Sequence, residues 1–598
     1  MSAGDHDART RREFLRDTAV ATASAAAAAV LGERLSGAAG EPVGPKVAIF
    51  GAGVAGLTAA HELAERGFRV TVYERDHIGG KAWSLGVPGS GTAGRIGLPG
   101  EHGFRFFPGF YLNLGDTMRR IPTPDGTVYD RLVRASTYRM SFADRPDLTV
   151  PLSLPPEGVT PETFVESLAA ALVGAYKLPP HEALYFASKL FVYVTSCDER
   201  RLGQWDWVSW KDFISEDRMS PEYRTVASRS LVRNLAATKA DEASTHSIGL
   251  VGEASFMSLM GRGNDRNATF DRVLDGPTSE VWLDTWTDLL RQLGVTFRVG
   301  CALESLGVVD GRIGHAVVND GHGRQTVTAD WFIAAIPLER MAALLTPDLL
   351  AADPALERIN RLKTDWMVGL VFYLREPLPL AHGHVNYVNS PFGLTSISQA
   401  QFWSRSLSDY GDGTVRESFS TILSDWESPG ILYGKPARDL TPPQLAQEVF
   451  AQLQAHLNDG GRPVLRDDML HSWFLDPAIA LRAGSEPPGV VNDTPLFIQD
   501  PGEWGNRPES VTAIPNFFLA GDWVRTHINV TTMDGANQGG RQAANGVLDA
   551  AGSKDGRATL WPLYEPPEYR PHKLIDRVRY QQGLPNMFDP DQAAPPRR

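Results

Sequence analysis

The chain has 598 residues, 42% of them hydrophobic, and a formal net charge of −13. That length supplies a large core and room for more than one domain, and the acidic balance excludes non-specific nucleic-acid binding. Its two cysteines, Cys197 and Cys301, leave room for one disulfide but exclude a disulfide framework and a cysteine-based zinc site. No metal ligand set is expected.

Residues 1–40 stand apart from the folded part. Arg11 and Arg12 open the run RREFLR, and Arg9 and Arg16 add positive charge. The alanine-rich apolar stretch Ala19 to Leu31 is too short to span a bilayer as a helix. Gly37, Ala38 and Ala39 supply small residues for cleavage. The segment resembles a twin-arginine export signal, which implies an exported or cell-envelope-associated protein. The alternative is a disordered alanine-rich arm on a cytoplasmic one. No other stretch reaches 18 consecutive apolar residues, so no transmembrane helix is expected.

Lys46 to Arg75 reads KVAIFGAGVAGLTAAHELAERGFRVTVYER. Val47 to Phe50 is a short apolar run, expected as a buried strand. Gly51, Gly53 and Gly56 follow in G-x-G-x-x-G register, with Ala55 between them. Leu57, Ala60, Leu63 and Ala64 recur at helical spacing up to Gly67, which is placed to stop the helix. Val70 to Tyr73 is a second strand, with Glu74 and Arg75 at its end. This is a complete βαβ unit for a dinucleotide. The glycines serve the turn, the pyrophosphate and helix packing, the helix N-terminus meets the phosphates, and Glu74 meets the adenosine ribose.

The next residues, RDHIGGKAWS, carry Gly79, Gly80, Lys81, Trp83 and Ser84. They resemble the GG-R-x-x-S/T continuation of the FAD family that contains phytoene desaturases and flavin amine oxidases. The resemblance implies FAD as cofactor, with this segment running along the pyrophosphate. Lys81 stands where arginine is usual and keeps a positive charge without the bidentate fork. A solvated loop lysine is the other reading. Further on, GEHGFRFFPGFYLNLGDTMRRIP brings His102, Gly103 and Arg105 into a Phe-rich setting. By resemblance this segment passes the flavin ring, with Gly103 allowing close backbone approach. His102 and Arg105 are the candidate catalytic residues. In the alternative they only pair locally, while Phe104, Phe106 and Phe107 fill the core.

Thr160 to Asp265 is mostly helical by pattern. Phe164–Leu178 and Ala183–Val194 are apolar on broad faces. They form the core of a cap domain, line a lipophilic tunnel, or touch a membrane surface as a peripheral contact. Asp271–Gly294 leads into an amphipathic helix. Val295–Leu306 and Ile313–Val318 read as strands, joined by the hairpin turn Asp310-Gly311. These resemble the meander inserted in FAD enzymes of this group, where the place of Leu303 holds adenine through its backbone. Ala329–Pro337 is the next buried strand, Trp366–Leu374 a strand of the substrate domain, and Leu445–Leu457 a helix. Gln399, Gln401, Phe402 and Trp403 stand together without an assigned role.

Phe517–Ala520 is a strand ending in Gly521-Asp522, and Thr531-Thr532-Met533-Asp534-Gly535-Ala536 opens a helix with Gly540, Ala543 and Ala544 on it. This resembles the G-D…M-E-G-A signature that ends the same enzymes, with Asp534 for the usual glutamate. It implies that Gly521 and Asp522 meet the ribityl and pyrophosphate, and that Thr532, Met533 and Ala536 lie by the flavin, where a helix N-terminus stabilises negative charge. Trp561–Arg598 is rich in proline and without periodicity, expected as an extended or partly disordered tail.

The resemblance implies an α/β fold with a Rossmann-like FAD-binding domain of the GR2 type, assembled from residues 45–115, 271–350 and 510–552. An α+β substrate or cap domain, residues 116–270 and 351–509, is inserted between those pieces, and 553–598 form the tail. Flavin amine oxidases carry a tyrosine before the signature methionine, where this chain has Thr532, and Gly521-Asp522-Trp523-Val524 looks more like the desaturases. The expectation is therefore an FAD-dependent, phytoene-desaturase-like oxidoreductase acting on a lipophilic polyene or isoprenoid. Relatives include isomerases and cyclases, so the direction stays open, and quinone and oxygen are both open as electron acceptor. The alternatives are an amine oxidase releasing hydrogen peroxide and an FAD-stabilised lipid-binding protein without catalysis. No G-x-S-x-G or H-E-x-x-H hydrolase motif is present.

Overall fold

The computed structural model describes residues 44–595, apart from 154–159, 235–237, 267, 459, 462, 483 and 485–488. The expected export signal, residues 1–40, lies outside the described residues. β1 (Lys46–Phe50), α1 (Val54–Glu65) and β2 (Arg69–Glu74) form the βαβ unit, with Val47 beside Val70 and Phe50 beside Tyr73 in parallel register. Val47 to Phe50 are all buried, as a strand covered on both faces of a parallel sheet requires. α2 (Leu112–Arg119) follows.

The chain then leaves for the cap through β3 (Thr137–Ser141) and β4 (Leu148–Pro151). Helices α3 (Phe164–Tyr176), α4 (Pro180–Thr195) and α5 (Thr245–Leu259) come next. Phe186, Trp205, Trp210 and Tyr223 join them in one apolar core, and Phe164, Phe191 and Met257 in a second.

α6 (Asp284–Gln292) returns the chain to β5 (Thr296–Val299), which pairs in parallel with β2. The meander follows as β6 (Ala302–Val309), β7 (Arg312–Asn319) and β8 (Arg324–Val327), all antiparallel. Asp310 and Gly311 hold φ of 50° and 71° in its first turn, as a two-residue hairpin of this twist needs. β9 (Trp331–Ala334) pairs with β1.

The cap sheet then gathers β10 (Val368–Leu374), β11 (His384–Tyr387), β12 (Leu394–Ser398) and β13 (Glu417–Leu423). α7 (Pro442–Leu457) and β14 (Leu470–Leu475) complete it. Its order is β14-β10-β13-β12-β11-β3-β4, antiparallel except where β11 meets β3. Val449, Phe450 and Leu453 of α7 share a core with Leu370, Phe372 and Phe419. β15 (Phe517–Leu519) closes the parallel sheet in the order β5-β2-β1-β9-β15, and α8 (Met533–Ala550) packs on it.

One possibility left open is closed and one expectation is corrected. Cys197 and Cys301 are free, and both are buried. The proline-rich tail is not extended throughout: it holds α9 (Arg570–Gln581), with Pro571 in the first turn, where a missing N–H is tolerated. Asp576 turns inward and accepts hydrogen bonds from Arg200 Nε at 2.9 Å, Cys197 N at 3.0 Å and Asn586 Nδ2 at 3.0 Å. Arg200 and Asp576 are both fully buried. Substituting Asp576→Ala leaves the Arg200 cation uncompensated and is expected to cost about 3–5 kcal/mol. Denaturant unfolding should show that loss, and limited proteolysis should cut first in the segment after residue 560. An unchanged midpoint would show that the tail is not held this way.

Candidate functional site

The glycine turn sits at the carboxyl end of β1. Gly51 has φ of 101°, which only glycine takes without strain, and its N–H donates to Tyr73 O at 2.7 Å. A Cβ on Gly56 would stand 2.0 Å from Gly51 O, so the glycine is what lets α1 begin this close to the strand. Gly53 is the N-cap of α1 and no side chain caps the helix, leaving the first-turn N–H groups without an intrahelical acceptor. Glu74 closes the turn, its carboxylate accepting from Ala52 N at 2.7 Å and Asp76 N at 2.8 Å. Burial raises its pKa, and those two N–H groups oppose the rise. Cys301 N donates to Glu74 O at 2.8 Å, so the start of the meander, and Leu303 with it, lies alongside Glu74.

The Gly79-Gly80 turn folds back over this loop. Gly79 N donates to Ala52 O at 2.8 Å. Lys81 follows and donates to Pro495 O. Its ammonium acts on two half-buried carboxylates, Asp522 and Glu339, opposing the rise that partial burial imposes on each. Lys81 and Asp522 are thus neighbours although they come from opposite ends of the chain, and the solvated-loop reading of Lys81 is set aside. Trp83 is buried, its ring 5.2 Å from that of His77. Arg75 departs from the group: it turns outward to Asp76 and Asp493, at 2.6 and 2.8 Å.

Gly521 and Asp522 follow β15 at the same edge of the sheet, with Gly521 against α8, since a Cβ on Gly539 would stand 2.5 Å from Gly521 O. Arg507, buried, donates to the carbonyls of Asp522, Trp523 and Val524 and to Asn529 Oδ1. One side chain thereby fixes the whole loop, and sequence reading gave no sign of it. Thr532 is the N-cap of α8, its hydroxyl accepting from Gly535 N at 2.9 Å, the ordinary role of threonine there. Ala536 lies in the first turn, its N–H donating to Thr532 O at 2.9 Å, and Met533 begins the helix. Asp534 does not face this edge: it accepts from Leu114 N at 2.8 Å and Asn113 Nδ2 at 3.1 Å. Burial pushes its pKa up to about 6.

His102, Gly103 and Arg105 lie where the cofactor-binding domain meets the cap sheet. Gly369 N of β10 donates to His102 O at 2.7 Å, and Gly103 packs against Ile422 of β13. His102 Nδ1 stands 2.6 Å from Asp476 Oδ2. Burial raises the pKa of Asp476, but the hydrogen bond and charge of His102 outweigh it and leave the carboxyl below its usual range. Arg105 donates to Lys81 O at 2.8 Å, while its buried Nε has no protein partner. Phe104 and Arg105 open onto a narrow cleft walled by Val273, Leu274, Ile397, Phe402 and Trp403, with Glu101, Thr278 and Gln399 also in its lining. Gln399, Phe402 and Trp403, unassigned from sequence, are cleft residues.

These features fit FAD. Glu74 suits a ribose, the uncapped turn of α1 and Lys81 suit the pyrophosphate, and the start of α8 suits the reduced ring. A Cβ on Gly53 would touch only Gly80 Cα, at 3.8 Å, so the space beside Gly53 is not filled by protein. Arg105 Nε remains an unsatisfied donor facing the cleft.

Two family models match. The model for flavin containing amine oxidoreductases covers residues 256–548 and that for the NAD(P)-binding Rossmann-like domain residues 49–121. Zeta-carotene desaturase of Synechocystis is 23% identical over 84% of this chain and 97% of its own length. Carotenoid phi-ring synthase of Streptomyces griseus is 26% identical over 87% and 90%. Among solved structures, putrescine oxidase bound to putrescine aligns with a TM-score of 0.54 at 14% identity, over 85% of this chain and 99% of that one. Cyclohexylamine oxidase from Brevibacterium oxydans aligns with 0.53 at 15%, over 85% and 100%. The structural likenesses establish the fold.

Gly53→Val tests the cradle. The substituted side chain points into the space reserved for the pyrophosphate, so the variant should fold with unchanged far-UV circular dichroism yet purify without flavin absorbance. A yellow, fully loaded variant would remove Gly53 from the site.

Proposed function

We propose that this chain, an FAD-dependent oxidoreductase similar to the phytoene desaturases and flavin amine oxidases, dehydrogenates, or otherwise redox-tailors or cyclises, a lipophilic polyene or isoprenoid-like compound. The observation that carries this reading is the match, over nearly their whole length, to relatives named as carotenoid desaturases. Val273, Leu274, Ile397, Phe402 and Trp403 give the narrow cleft next to Phe104 and Arg105 an apolar wall, in keeping with a lipophilic substrate. FAD, when bound, supplies the acceptor of a hydride or electrons. The protein's part is to hold the substrate in line and exclude water, which Phe104, Phe402 and Trp403 do. Thr532, occupied in capping α8, offers no aromatic wall for an amine nitrogen. A quinone or oxygen is the proposed electron acceptor. The substrate is tested by mixing anaerobic holoprotein with long polyenes and with simple amines: polyenes should bleach the flavin or be converted, and amines should release no peroxide on aeration. Peroxide from a primary amine, at a rate altered about tenfold or more by Thr532→Ala, would favour the amine oxidase reading instead.

Export by the twin-arginine route is proposed from Arg11, Arg12 and the apolar stretch behind them, and it suits a protein that folds around its cofactor before crossing. Replacing both arginines by lysine should retain the precursor in the cytoplasm of its host. Unchanged fractionation would dismiss the signal.

A further inference from the structure

Helix α9 is built inside out. Asp576 faces the protein, fully buried, while Leu574, Ile575 and Val578 face outward with exposures of 60%, 48% and 53%. At helical spacing these three share one stripe. Leu584 and Met587, just beyond the helix, are exposed as well. Isolated exposed apolar residues are ordinary, but a contiguous group on one element marks a contact surface.

The charges around the stripe say what it contacts. Arg570, Lys573, Arg577 and Arg579 flank it, and Asp576 is the helix's sole carboxylate, already spent on Arg200. The helix is thus locally basic in a chain of net charge −13. Lys573 and Arg577 rest on Glu565 and Glu199 at 2.9 and 2.8 Å. Such surface pairs are weak and exchangeable. An apolar stripe rimmed by cations is the pattern of a helix lying in the headgroup region of an anionic bilayer. A second copy of the chain fits poorly, since a two-fold contact centred on the stripe sets each arginine rim near its own copy. Next to the stripe, Val165, Phe191, His572 and Phe588, together with Pro161, Glu162 and Ser188, line a cleft of about 330 Å³, a recess of mixed lining that shares His572 with α9. We propose that α9 and the residues after it are a membrane-docking surface that seats the protein on anionic lipid. This inference stands apart from the chemistry proposed above and does not depend on it.

The test is flotation of the full-chain holoprotein with vesicles of phosphatidylcholine, with and without phosphatidylglycerol. Wild-type protein should float with the anionic vesicles and less with the neutral ones. The triple variant Leu574→Ser, Ile575→Ser, Val578→Ser should lose about tenfold or more of that binding with its flavin absorbance unchanged, since all three side chains are exposed. The pair Arg570→Gln, Arg577→Gln should lose the preference for phosphatidylglycerol. Because every variant keeps the N-terminal segment, the differences report on α9. The proposal is overturned if the triple variant binds within about twofold of wild type, if wild type binds neither vesicle, or if the triple substitution instead converts a wild-type dimer to a monomer.

Discussion

Close contact between α1 and α8 is the constraint on which the rest depends. A Cβ on Gly540 would stand 2.3 Å from Ala55 O, so the two helices approach until backbone meets backbone. Asn537 of α8 then reaches Thr58 of α1 and Thr117 of α2, at 2.8 and 2.9 Å. This contact sets the N-terminus of α8, with Thr532 and Met533, beside the glycine turn of α1. Two helix starts and two strand ends meet at one edge of the parallel sheet, the place where open α/β sheets bind their ligands. Neither motif is a site alone: each supplies half of what a dinucleotide spans.

Buried charge holds the two halves in register. Arg541 of α8 donates to Asn113 O, Thr117 Oγ1 and Asp116, and with Arg120 and Arg66 it surrounds Glu62 of α1. Burial opposes the ionisation of Glu62, but the three cations outweigh it and keep its carboxyl well below the usual range. Such a network contributes less to net stability than to specificity, because any other seating of α8 strands a charge. Arg507 does the same for the loop after β15, where four acceptors converge on one guanidinium. Glycine at the contact permits close packing, and the charges select one arrangement among those that packing allows.

What the sequence disclosed follows from the range of the interactions. β1, α1 and β2 were legible because strand, turn and helix signals lie within thirty residues, and the hairpin at Asp310-Gly311 because its backbone demand is local. The meander and the α8 start were legible through their motifs. Lys81 beside Asp522, His102 against Asp476 and the placing of Gln399, Phe402 and Trp403 depend on contacts between distant segments, and no periodicity reports those. Arg75 turns to Asp76 and Asp493, because adjacency to Glu74 in sequence does not fix which way the next side chain points. α9 was missed for a different reason. Its outward face is apolar and its inward face carries Asp576, which reverses the pattern by which a helix packed on a protein is recognised.

That reversal bears on how the cap is built. A helix packed through polar contacts has to be held by bonds of definite geometry, and Asp576 provides them to Arg200, Cys197 and Asn586 together. Lys189 adds a second buried link to Asp589 at 2.8 Å. Apolar packing alone would have turned Leu574 and Val578 inward and spent the stripe on the core. The ion pairs free that face, and they place it next to the recess formed by Phe191 of α4 and by Phe588, which follows α9. The cofactor edge and the α9 face are thus fixed by the same device, buried charge at the joints, and in both the cost of burial is offset by opposite charges and hydrogen bonds drawn from distant segments.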